Sequence, residues 1–152
     1  VFYLPYQVFS AILFKSKLIS RKQFKERFFS FLKSVHSLDL NGFWDAHQYK
    51  IKKWYLNQKK SNDLIISASP EFILKGITDR LKIELLGTKM DFQTGKISGE
   101  NCRGEEKVKR LYEFCKDPRI DQFYSDSKSD TPLKKLAKSA YFVKKNQISD
   151  WK

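Results

Sequence analysis

The stretch Phe123-Tyr124-Ser125-Asp126-Ser127-Lys128-Ser129-Asp130-Thr131-Pro132-Leu133 decides how the rest of this 152-residue chain is read. Apolar residues (Ile120, Phe123, Tyr124) stop abruptly at small polar residues and two carboxylates. A helix-start signature follows, with Thr131 as a cap and Pro132 at a first helical position, which predicts a helix from Pro132 to Lys138. That is a strand ending in an acidic turn, and in an open α/β sheet ligands sit in the crevice outside the carboxyl ends of the strands. Two carboxylates about 5 Å apart repel by roughly 3 kcal/mol at an effective dielectric of about 20. A cation should compensate, and a hard divalent metal with oxygen ligands is the usual one. The plainer alternative makes Asp126 a turn residue and Asp130 or Thr131 a helix cap.

Composition sets the outer bounds. A chain of this length supports one core, with about two-thirds of its surface buried on folding. Its 41% hydrophobic and 15% aromatic content is that of a globular protein. The net charge of +13 and pI near 9.7 favour anionic partners without naming them. Cys102 and Cys115 have no metal-ligand or C-x-x-C spacing and read as reduced thiols of a cytoplasmic protein. The chain opens on Val1 and its only methionine is Met90, which leads us to expect coding sequence upstream. The uncharged run Val1 to Phe14 is too short to cross a bilayer, which takes about 20 apolar residues. It suits the tail of a longer hydrophobic segment, an interfacial helix or a buried helix.

The charge is concentrated at one end. Residues 1–60 hold 12 of the 30 Lys/Arg but 3 of the 17 Asp/Glu, a net of +9 against +4 for the remainder. Ser20 and Gln23 form a capping box, after which Phe24, Phe28, Phe31, Leu32 and Val35 recur at helical spacing. A second amphipathic segment runs from about Phe43 to Gln58. From Asn62 the rhythm changes to short apolar runs alternating with helical patterns, the mark of βα units and a parallel sheet. Leu64-Ile65-Ile66 reads as a strand, and Ser69-Pro70-Glu71 as the start of a helix to about Leu81. Ile83–Lys89 and Lys96–Ser98 read as extended segments about a turn at Gln93-Thr94-Gly95. A helix over Glu105–Phe114 precedes the strand ending at Tyr124, and Ala140–Val143 gives a last strand.

Three polar points fall where a sheet crevice would gather them. Ser67 lies between a strand and a helix start, whose free N–H groups and positive dipole end suit a phosphate. Lys107 sits in the first turn of a helix, where the dipole disfavours a cation, so its placement hints at a task. The third point is the acidic turn.

In order, hydrophobic strand then Ser67, Gly104-x-x-Lys107, and Asp126-x-x-x-Asp130 resemble the haloacid dehalogenase superfamily. The likeness is to its phosphoserine-phosphatase-like branch, with a helical cap after the first strand. The strings ISASPEF (66–72), GEEKVKRL (104–111) and YSDSKSDTPL (124–133) are similar to the phosphatidylglycerophosphatase C type. The resemblance covers about Asp63 to Val143. It implies a Rossmann-like α/β core over 61–152, an all-helical cap over 1–60, and a phosphomonoesterase working through an aspartyl-phosphate with Mg²⁺. It also implies roles. Ser67, with Ala68 in the same turn, would bind a phosphate oxygen, and Lys107 would balance phosphoryl charge. Asp126 and Asp130 would hold Mg²⁺.

One family element has no counterpart. The nucleophilic aspartate belongs to a D-x-D-G-T segment on the first strand, and no aspartate precedes Asp39. Asp39-Leu40-Asn41-Gly42 lacks the second acid and lies on the wrong side of the cap. The expectation is therefore a first strand upstream of Val1, central between the strands ending at Ser67 and Tyr124, and a fragment that alone is inactive. The substrate would be a small phosphomonoester, or a lipid phosphate if the basic cap rests on a membrane. A nucleic-acid surface is the remaining reading of the basic first 60 residues. The phenylalanines keep core spacing and no binding motif is visible, so no nucleic acid is expected.

Overall fold

The computed structural model describes residues 3–152. Every regular element from Tyr3 to Gln58 is helical. The apolar run forms α1 (Tyr3–Lys15), with Val1 and Phe2 outside the described residues. Helix α2 (Arg21–Phe28) opens on the expected capping box: Ser20 Oγ accepts from the Gln23 N–H at 3.1 Å and Gln23 Oε1 from the Ser20 N–H at 2.8 Å. Phe14 of α1 stacks on Phe24 of α2, ring centroids 5.1 Å apart.

The helical periodicity overstates helix length twice here. α2 ends at Phe28, and Phe29–Ser34 tighten into 3₁₀ turns that put Leu32 in the core at 1% exposure. The segment from Phe43 to Gln58 is also split, into α3 (Leu40–His47), a 3₁₀ turn at Gln48–Lys50 and α4 (Lys53–Gln58). Ile51 and Lys52 are extended, which ends the one and starts the other. Asp39 caps α3 by accepting from the Gly42 N–H at 2.8 Å, an ordinary structural use of that carboxylate.

Strand β1 (Leu64–Pro70) runs parallel to β2 (Glu84–Thr88), with Leu64 opposite Glu84 and Ile66 opposite Leu86. Helix α5 (Glu71–Leu81) makes the crossover that parallel strands require. Pro70, not Ser69, occupies the cap position of α5; Ser69 stays in β1 and gives its N–H to Ser67 Oγ at 3.1 Å. Met90 bridges Ile97 across the expected turn. Gly95 there has φ +70°, and a Cβ would lie 2.5 Å from the Phe29 carbonyl oxygen, so the close approach of the helical half requires glycine.

Helix α6 (Glu105–Phe114) has the expected bounds, and β3 (Ile120–Ser125) follows. Helix α7 (Thr131–Lys134) is shorter than the expected Pro132–Lys138, because Ala137 already pairs with Ile120 at the start of β4 (Ala137–Lys144). Strand pairing overrides the local helical preference. β4 is parallel to β3 and antiparallel to β5 (Gln147–Asp150), a strand not foreseen. The result is a Rossmann-like α/β fold whose strands fall into two sets, β1-β2 and β3-β4-β5. β1 and β3 are not hydrogen-bonded to each other. Among the described residues no helix is long and apolar enough to cross a membrane. Cys102 is buried, Cys115 exposed, and both are free thiols.

Candidate functional site

A cleft of about 590 Å³ separates the two strand sets. Ile65, Ile66 and Ser67 of β1 line it, as do Tyr124 and Ser125 of β3 and Val143 of β4. Apolar strand residues that would be covered in a continuous parallel sheet are here only half-buried. Ser67, Ala68, Lys107, Asp126 and Asp130, the five residues singled out in the sequence, all line this one cleft.

Lys107 arrives there through Gly104. Gly104 has φ +58° and ψ −127° at the cap position of α6, a backbone state closed to other residues, and its carbonyl accepts from the Lys107 N–H at 3.1 Å. The lysine that opposes the helix dipole is neutralised by a carboxylate: its Nζ lies 2.7 Å from Asp130 Oδ2, with both side chains under 10% exposed. Ser125 Oγ donates to the same oxygen at 2.8 Å and accepts from the Ser127 N–H at 3.1 Å. Asp130 thus makes no side-chain cap bond, although it stands at the cap position of α7. Thr131 is no cap either, since its hydroxyl donates to the Lys128 carbonyl at 2.7 Å.

The other Asp130 oxygen, Oδ1, is buried with no hydrogen-bond partner among the described residues. Leaving such an acceptor unmatched costs about 1–3 kcal/mol or more for a charged group, so the atom suits a ligand. Asp126, exposed, offers a second carboxylate to the cleft. Among the described residues no three His, Cys, Asp or Glu side chains cluster as a self-sufficient metal cage. Two carboxylates do fit Mg²⁺, which keeps several waters and is bound through one or two carboxylates plus a substrate phosphate. Ser67 Oγ accepts from the Ser69 N–H and donates to none of the described residues, which leaves its proton available.

Several residues beside the site were not singled out by sequence. Lys25 of α2 reaches across from the helical half: its Nζ donates to the Ala68 carbonyl and to Asn101 Oδ1, and lies 3.5 Å from Thr88 Oγ1. Burial lowers the Lys25 pKa from 10.5 to about 8, against an opposing pull from Cys102 that outweighs the further lowering by the Arg21 charge. Arg110 pins α6 to β2 by donating to the Gly87 and Glu100 carbonyls and to Glu106 Oε1. Trp54 of α4 lies against Tyr124 at 5.2 Å, and Tyr124 stacks on Tyr141 at 4.8 Å, so an aromatic ladder ties the helical half to β3 and β4. In a chain of +13 net charge nothing local marks Lys25 off from the other cations; only the Glu106-x-x-x-Arg110 spacing was there to be seen.

A family model for haloacid dehalogenase-like hydrolases matches residues 6–135. The chain belongs to this family. As a haloacid dehalogenase-like hydrolase it is similar to Protein CicA of Caulobacter vibrioides, in strains NA1000 / CB15N and ATCC 19089 / CIP 103742 / CB 15, at 35% identity over 86 residues. The match takes in 52% of this chain and 39% of either relative, so the chain spans well under half the length of those proteins. It also resembles the crystal structure of a protein with unknown function from Bordetella pertussis Tohama I. The TM-score is 0.66 over 86% of this chain and 69% of that one, at 17% identity, a likeness of fold.

Two outcomes are expected. Lys107→Met strands the Asp130 carboxylate and lowers stability by about 3–5 kcal/mol in urea unfolding, whereas adding Asp130→Leu recovers most of the loss. Lys25 is charged in both states below about pH 8; between about pH 8 and 10.5 the unfolded chain alone holds its proton, so stability rises with pH through that window. Lys25→Met should therefore show a smaller rise in Tm than the parent protein over the same window, read by thermal unfolding.

Proposed function

We propose that the cleft is the active site of a phosphatase of the phosphoserine-phosphatase-like branch, hydrolysing a phosphomonoester. The observation that carries this is the convergence of Ser67, Lys107, Asp126 and Asp130 on one cleft from separate places in the chain. Phosphoryl transfer asks mainly for positioning and charge neutralisation. Ser67, its oxygen already occupied by the Ser69 N–H, would donate its proton to a phosphate oxygen. Lys107, held in place by Asp130, would face the charge that spreads over the transferring group. Asp126 and Asp130 Oδ1 would hold Mg²⁺, which when bound supplies charge neutralisation to the phosphoryl oxygens.

The nucleophile is assigned to a part of the protein outside these 152 residues. A strand entering between β1 and β3 would satisfy their facing edges, cover Ile65 and Ile66, and carry an aspartate to the carboxyl end of the sheet beside Ser67 and Asp126. The aspartyl-phosphate would form on that residue. This chain alone, with residues 1–60 as cap and 61–152 as core, would be inactive.

The full-length protein should hydrolyse members of a phosphate-ester panel with Mg²⁺ and lose that activity on chelation. Ser67→Ala should lower kcat/KM by about 10²-fold. A full-length protein inert on the panel, or a Ser67→Ala variant as active as its parent, would sink the proposal.

A lipid-borne phosphate is the second reading, favoured by α1. Leu4, Val8, Phe9 and Ile12 form one stripe of that helix, each at least 54% exposed, and exposed Lys15 and Lys17 follow. The first acidic residue in the chain is Glu26. An apolar stripe beside uncompensated cations suits an anionic interface, each cation contributing about 1 kcal/mol. The protein should co-sediment with anionic and not with zwitterionic vesicles, and Ile12→Glu should release it. Failure to sediment with either would remove this reading.

A further inference from the structure

Strand β1 leaves register with β2 where Ser67 stands. Between the pairs Ile66–Leu86 and Pro70–Thr88, three residues, Ser67, Ala68 and Ser69, face the single Gly87. A bulge of this kind interrupts the ladder, frees backbone groups from it and re-aims a side chain. Ser67 and Ala68 of the bulge both line the cleft. The freed backbone groups are met by side chains from four separate elements, none of which a regular parallel ladder would need. The Ala68 carbonyl accepts from Thr88 Oγ1 of β2 at 2.7 Å and from Lys25 Nζ of α2. The Gly87 N–H donates to Glu71 Oε1 of α5 at 2.9 Å, and the Gly87 carbonyl accepts from Arg110 of α6. A Cβ on Gly87 would lie 2.7 Å from Glu71 Cγ, so the bulge leaves no room for a side chain opposite it. Thr88 is the hub of this network. It is fully buried, and its hydroxyl also accepts from the Cys102 N–H at 3.1 Å. A buried hydroxyl engaged on both sides is fixed in orientation, and the carbonyl it holds is fixed with it.

The Ala68 carbonyl and the Ser69 N–H are the two ends of one planar peptide unit, and that N–H donates to Ser67 Oγ at 3.1 Å. Fixing the carbonyl therefore fixes the plane, the N–H and the Ser67 lone pair that it engages. The Ser67 proton is left for another acceptor. We propose that Thr88 and Lys25 are positioning residues, which hold the Ala68–Ser69 peptide so that the Ser67 hydroxyl meets the phosphate. Lys25 carries this control to the helical half, whose seating over the core then bears on the Ser67 geometry. The role rests on the phosphatase reading, because it is exerted only through Ser67.

The test uses the full-length protein and the phosphate ester of the panel that it hydrolyses fastest. Thr88→Val keeps the side-chain shape and removes the proton. It should lower kcat/KM about tenfold, less than Ser67→Ala does, because the Ser67 donor is displaced and not deleted. Thr88→Ser should restore the parent value. In a Ser67→Ala background, Thr88→Val should change kcat/KM by a factor of about one, since nothing is left to position. Lys25→Met removes the other donor to the same carbonyl and is read in the same two backgrounds; it decides the matter if Thr88→Val does not fold. Losses that multiply with that of Ser67→Ala, or single variants as active as the parent, overturn the assignment. If no ester is hydrolysed, or Ser67→Ala is itself without effect, the phosphatase reading fails and the positioning role falls with it.

Discussion

A buried ion pair, Lys107 with Asp130, is the constraint on which the site depends. Two charges under a tenth exposed have little water to turn to, so each must find the other or another partner of opposite sign. This requirement locks the first turn of α6 to the segment between β3 and α7. It also holds Lys107 in a first helical turn where the dipole would repel it, a turn that the chain enters through the positive φ of Gly104. Ser125 closes the arrangement by sharing the same carboxylate oxygen, which fixes the acidic turn relative to the end of β3.

Polar bridges join the aromatic ladder in tying the helical half to this frame. Lys25 binds the Ala68 carbonyl, Glu26 Oε1 accepts from the Ile97 N–H at 2.9 Å, and Trp44 Nε1 donates to the Ile73 carbonyl at 2.7 Å. Such contacts depend on direction and distance, so they set orientation.

Much of this was readable in the residues, and the boundary follows interaction range. The strand at Leu64-Ile65-Ile66, the Ser20 capping box and the bounds of α6 depend on neighbours in sequence and emerge from it directly. α7 and β5 do not, because Ala137 becomes a strand only by meeting Ile120, and Gln147–Asp150 only by folding back on β4. Among residues of the candidate cleft, Ser67, Lys107, Asp126 and Asp130 stand at punctuation points between elements, which is why the sequence singles them out. Lys25 and Asn101 gain significance only from the partners brought against them, and nothing local distinguishes one cation from the 29 other Lys and Arg residues.

The facing edges of β1 and β3 carry a colloidal consequence. Unmatched strand edges beside a wide slot invite extended segments from neighbouring molecules, as donor strands do in β-augmentation. The charge of +13 keeps copies apart while the Debye length is long, about 30 Å at 0.01 M salt, and loses its reach near 1 M. Self-association of this polypeptide should therefore rise with ionic strength, with the slot between β1 and β3 as the place where copies meet.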